Sequence, residues 1–98
     1  MLFKRSRDIE QFATELAREF AKHYSIADAA SERNTVKKLT HAMDAAIERA
    51  VSFHKEKKLG VYGKAKLGTT FKWELKELGY NDEFVDEFTR NVLLRLSR

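Results

Sequence analysis

Apolar residues recur along this chain at intervals of three and four. Between positions 8 and 24 they are Ile9, Phe12, Ala13, Leu16, Ala17, Phe20 and Tyr24. That spacing covers one face of an α-helix and predicts a helix over 8–24. Ser6 is placed to cap it, and Asp8 suits the positive end of the helix dipole. The opposite face carries Glu10, Glu15, Arg18, Glu19 and Lys22.

Residues 25–34 read as a connection. Ser25 and Asp28 are spaced to cap a short turn, and Ser31 to cap the helix that follows. A long second helix is predicted over 32–59, with Val36, Leu39, Met43, Ala46, Ile47, Ala50 and Val51 on its apolar face. At 1.5 Å per residue it would extend ~40 Å. Lysines 55, 57 and 58 fall at its negative dipole end, and Gly60 is placed as the residue that stops it. The stretch 60–68 holds three of the four glycines and reads as a loop. Thr69 or Thr70 would then cap a short helix ending at 78, with Phe71, Leu75 and Leu78 facing inward. Gly79 stops that helix and Tyr80 supplies the apolar contact that accompanies such a stop. Asn81 caps the last helix, whose inner face is Phe84, Val85, Phe88, Val92 and Leu96. Its acids, Asp82, Glu83, Asp86 and Glu87, come early and Arg90, Arg95 and Arg98 late, as its dipole favours.

No segment alternates with period two, and there is no Asn-Gly or Asp-Gly hairpin signal. The prediction is an all-α, single-domain bundle of four helices over 1–98, with one long central helix at 32–59. Phe12, Leu16, Phe20, Met43, Ile47, Leu75, Phe84 and Phe88 are predicted to form its core.

Composition narrows the chemistry. The chain has 98 residues, 43% hydrophobic and 35% charged, with no Pro. Such a balance suits long amphipathic helices. It has no Cys, which excludes disulfides, Cys-ligated zinc and thiol catalysis. No run approaches the ~20 apolar residues of a membrane span. The basic start, Lys4, Arg5 and Arg7, is followed by Asp8 and Glu10 rather than an apolar stretch, so a cytoplasmic protein is expected.

The net charge of +4 is unevenly placed. Residues 51–80 hold seven Lys against three Glu, while the rest of the chain is balanced. This region supplies the candidate site for a partner or a phosphate: Lys55, Lys57, Lys58, Tyr62, Lys64, Lys66, Lys72 and Trp73. Trp73 falls on the opposite side of its helix from Phe71, Leu75 and Leu78. Two readings follow. Either Trp73 is an exposed anchor among lysines, or its helix is sandwiched and Trp73 is core.

Other motifs carry less. Gly60-Val61-Tyr62-Gly63-Lys64 resembles a phosphate loop only superficially, because the glycine spacing is wrong and no strand precedes it. A weaker version places an anion on the amides of 69–72 at a helix start. Helix, Gly79 and helix suggests a DNA-reading helix-turn-helix, but the second helix would press four acids on phosphates. His41, Asp44 and Glu48 share one polar face, read as solvated. His54 lies on an apolar stripe, where a hydrogen-bonded core histidine is expected, one able to make packing pH-sensitive. No catalytic residue, metal ligand, cofactor or small-molecule substrate is assigned.

The reading that results is a non-catalytic interaction or oligomerisation module. A homodimer or another protein is the expected partner, with contact through the surplus length of the long helix, its alanines, and the off-stripe Phe53 and Leu94. The alternative is a nucleic-acid-binding module using the basic 55–76 region.

Overall fold

Capping side chains and stop signals set several of the helix boundaries. The computed structural model describes residues 2–31 and 35–97, without the side chains of 2–5 and 35. The helices are α1 (Leu2–His23), α2 (Ile26–Ala30), α3 (Thr35–Lys57), α4 (Val61–Glu77) and α5 (Asp82–Leu96). Among the described residues there is no strand, and the fold is all-α. Four long helices form the bundle, and α2 is a single turn in the connection after α1.

Three predicted caps are present. Ser25 Oγ accepts from the Asp28 amide at 3.2 Å, and the Asp28 carboxylate accepts from the Ser25 amide at 2.9 Å. Asn81 Oδ1 accepts from the amides of Glu83 and Phe84. Gly79, at φ 105°, turns the chain out of α4. The Gly79 amide then donates to the Lys76 carbonyl and the Tyr80 amide to the Leu75 carbonyl. Ser31 does not start a helix. It ends α2, its amide donating to the Asp28 carbonyl. The predicted start of the long helix at 32 lies outside the described residues.

Three boundaries differ from the sequence expectation. First, α1 begins at Leu2, so Ser6 is inside the helix, where no Gly or Pro interrupts it. Second, α3 ends at Lys57 rather than 59. Lys58 takes a left-handed conformation, φ 52°, with its amide on the His54 carbonyl at 2.6 Å. That turn buries Leu59, and Gly60 becomes the N-cap of α4 instead of the stop of α3. Third, 60–68 is not a loop. It is the N-cap and first half of α4, and Thr69 and Thr70 are interior to the helix. Gly63 and Gly68 serve close approach rather than turning. A β-carbon on Gly63 would lie 3.4 Å from Ile9 Cδ1, and one on Gly68 would lie 2.9 Å from Leu93 Cδ1.

These contacts set the layout. On α3, Phe53 stacks on Phe12, and Arg49 ion-pairs with Glu19 further along α1, so α1 and α3 run antiparallel. Gly63 meets Ile9 and Glu74 meets Thr14, so α4 runs alongside α1 in the same direction. Gly68 meets Leu93 and Phe71 meets Phe88, so α5 returns antiparallel to α4. Phe20 lies at the centre, its ring 4.8 to 6.1 Å from those of Tyr24, Tyr80, Phe84 and Phe88. Tyr80 Oη donates to the Tyr24 carbonyl, tying the end of α1 to the α4–α5 turn.

Of the predicted core, Leu16, Phe20, Ile47, Leu75 and Phe88 are buried, and Phe12, Met43 and Phe84 pack against them. Val36 is not core but 77% exposed. Leu78, at the C-cap of α4, is also exposed. Over the described residues α3, with 23 residues, is only one longer than α1, with 22, so the surplus length expected of the central helix is not seen there. Of the alanines expected to make a close contact, Ala42, Ala46 and Ala50 are buried within the chain and Ala45 is exposed. Ala42 and Ala46 face Leu16 and Phe20 of α1. Among the described residues no helix is long and apolar enough to cross a membrane.

Candidate functional site

Reading 60–77 as one helix changes what the candidate residues have in common. At ~100° per residue, Tyr62, Thr69 and Trp73 fall within about 40° of one another, on the side of α4 opposite Leu67, Phe71 and Leu75. Their exposure agrees with that phase. Tyr62 is 65% and Trp73 58% exposed, whereas Leu67, Phe71 and Leu75 are fully buried. The reading of Trp73 as core is therefore corrected: α4 has one buried side and one free side. Tyr62 and Trp73 stand ~16 Å apart along it, with exposed Ala65 and Thr69 between them.

Ion pairs flank this stripe on both sides. Toward α1, Lys66 Nζ meets Glu10 Oε1 at 3.0 Å. Toward α5, Lys72 and Lys76 share Asp86 Oδ1 at 3.5 and 3.3 Å. Glu10 holds the Lys66 ammonium above the usual lysine range by hydrogen bond and charge. The Lys76 hydrogen bond, with the charges of Lys76 and Lys72, holds the Asp86 carboxyl below the usual range against the opposing effect of burial. All of these groups are solvated, so the pairs add little stability. Their effect is on direction: they draw the ammonium groups sideways and leave the aromatic faces open.

The other candidates are placed differently. Lys64 shares the phase of the buried side of α4 and is half-buried near its start. Lys55, Lys57 and Lys58 are exposed at the end of α3, beside the first turn of α4 rather than on its outer face. The amides of 69–72 lie mid-helix, so they offer no anion site. Phe53 is not surplus surface, since its ring lies 3.9 Å from that of Phe12 and nearly parallel to it. Leu94 is 56% exposed on α5. His41, Asp44 and Glu48 are exposed, and among the described residues no three potential metal ligands cluster. His54 is half-buried and its Nδ1 has no hydrogen-bond partner, contrary to the expected bonded core histidine.

Sequence reasoning missed Thr69, Glu10 and Asp86 as parts of this surface. Positions 62, 65, 69, 73 and 76 do carry a helical signal once the glycines are not read as breaks. No protein family, curated protein or solved structure matches the chain.

Proposed function

We propose that this chain is a non-catalytic protein-interaction module and that the outer face of α4 is its contact surface. The observation that carries this reading is the exposure of Tyr62 and Trp73 on one rigid helix face. Tyr and Trp are the side chains that most often anchor protein interfaces, because each contributes a large contact area for little conformational entropy. The small residues between them, Ala65 and Thr69, leave room for a partner to approach the helix backbone. The nucleic-acid reading draws less support. Three of the lysines near the stripe already face Glu10 or Asp86, which weakens the counterion-release term that drives phosphate binding.

Self-association is the form of this reading that exposed Leu94 favours, since it adds apolar surface beyond the stripe. A photoreactive phenylalanine analogue at position 69, compared with the same analogue at exposed position 44 on α3, tests both forms. Protein adducts of defined mass are expected from 69 and not from 44, and Trp73→Ala should abolish them. An adduct of twice the chain mass reports a second copy. Equal labelling from both positions, or adducts that disappear with nuclease, would overturn the proposal.

A further inference from the structure

The helix directions bring four helix ends together. Gly63 meets Ile9, Phe53 stacks on Phe12 and Gly68 meets Leu93, so the starts of α1 and α4 and the ends of α3 and α5 form one end of the bundle. Cations remote in sequence converge there. Arg7, Lys55, Lys57, Lys58 and Arg95 are exposed, and Lys64 is half-buried. Opposing them are the exposed acids Asp8 and Glu56, since Glu10 is paired with Lys66. Six cations against two acids make an excess equal to the whole net charge of +4. The opposite end mixes Lys22, Lys37 and Lys38 with Asp28, Asp82 and Glu83 and has no such excess. The long axis is 46 Å, several screening lengths at physiological salt, so those acids do not act on what meets the basic end. On the first turn of α4, Val61 stands beside the basic groups 87% exposed, with Tyr62 next to it.

We propose that this basic end docks on an anionic lipid surface, with Val61 and Tyr62 entering the headgroup layer. Shape and side-chain chemistry select this occupant. The cations come from all four long helices, around an end of 25 × 20 Å. A plane of negative charge meets them together, whereas a nucleic-acid strand is a line of charge and meets those along one side. Val61 is aliphatic. It offers nothing to a phosphate or a base edge, but it gains by leaving water for the lipid interface. Tyr62 suits the same depth, with an apolar ring and a hydroxyl that stays wet. Each basic group near such a surface strengthens binding about fivefold, and the apolar contact adds the second signal that peripheral anchoring needs. A second copy docked end to end about a two-fold axis would set the cations against themselves. The docking end is separate from the outer face of α4, and Tyr62 alone belongs to both.

The test uses the full chain with two kinds of vesicle, phosphatidylcholine alone and phosphatidylcholine with about a third phosphatidylserine. Sedimentation should show binding to the anionic vesicles that falls with salt, and little binding to the neutral ones. Lys55→Gln with Lys57→Gln should weaken it about 25-fold. Lys22→Gln with Lys37→Gln removes the same charge from the opposite end and should leave binding within about twofold. Val61→Ser should weaken binding about fivefold without changing its salt dependence. All of these positions are exposed, so the melting temperature should not fall. Orientation has its own readout. The chain has no Cys, so Val61→Cys and Asp82→Cys each accept a single environment-sensitive dye. On anionic vesicles the dye at 61 should brighten and shift to the blue, and the dye at 82 should not. The proposal is overturned by equal binding to both kinds of vesicle, by equal losses from the two lysine pairs, or by indifference to Val61→Ser. It is overturned equally by the same dye response at 61 and 82, or by a single-stranded oligonucleotide that displaces the chain from the vesicles.

Discussion

Leu93 occupies the space that a side chain on Gly68 would need: a β-carbon there would lie 2.9 Å from Leu93 Cδ1 and 3.3 Å from Cδ2. Glycine in mid-helix costs about 1 kcal/mol relative to alanine. That cost is offset because α4 and α5 approach closely enough to close the core over Phe71 and Phe88.

The Gly68–Leu93 contact makes a graded forecast. Gly68→Ala should leave stability within about 1 kcal/mol of the parent, as gained helix propensity offsets displacement of Leu93. Gly68→Val should lose about 1–3 kcal/mol from overpacking. In a Leu93→Ala background, Gly68→Ala should become stabilising by about 1 kcal/mol. Urea denaturation of the four variants measures this. A Gly68→Val chain as stable as the parent would contradict a helix packed at 68.

The same contact explains what was legible in the sequence. The inner faces of α1 and α5 follow from local periodicity, and Asn81, Gly79 and Ser25 act on neighbours within a few residues. Gly63 and Gly68 are ambiguous locally, because a glycine that permits a turn and a glycine that admits a neighbouring helix look alike. The deciding residues, Ile9 and Leu93, are remote in sequence. The candidate surface inherits this ambiguity. Tyr62 and Trp73 stand out by composition, but their shared face exists only if 60–68 is helical. The pairings of Lys66 with Glu10 and of Lys72 with Asp86 are tertiary and leave no local trace.

Leu16 is buried at the α1–α3 contact, beside Phe20, Ala42 and Ala46. Leu16→Ala should cost ~2–5 kcal/mol in chemical denaturation. Val36→Ala, exposed on the first turn of α3, should change stability by no more than about 0.5 kcal/mol. Similar losses at the two sites would refute the burial assigned to α1.

Trp73 is exposed, so Trp73→Ala should leave the stability nearly unchanged, within about 0.5 kcal/mol. A core tryptophan would cost ~3–5 kcal/mol. The fluorescence of the parent chain gives an independent check, because Trp73 is its one tryptophan. Emission close to that of free indole with ready iodide quenching is expected. A blue-shifted, unquenched signal would place the ring in the core and remove the proposed contact surface.

Tyr80 links stability to alkaline pH. Burial pushes its hydroxyl up from 10.0 to about 12, with smaller contributions from Tyr24 and the Asp28 carboxylate. Ionisation is thus harder in the folded chain than in the unfolded one. The stability this difference supplies is fully present below about pH 10 and is lost as pH rises toward about 12. Tyr80→Phe removes the titrating group and leaves the Tyr24 carbonyl without its donor, which should cost about 1 kcal/mol at neutral pH. Between pH 10 and 12 the parent should lose stability faster than Tyr80→Phe, so the gap between them narrows and then reverses. Other tyrosines and lysines titrate in both chains and cancel in the comparison. Urea midpoints at neutral pH and across that alkaline range measure it. A gap that stays constant with pH would mean that Tyr80 ionises as freely in the folded chain as in the unfolded one, and that its hydroxyl does not close the α1 end onto the α4–α5 turn.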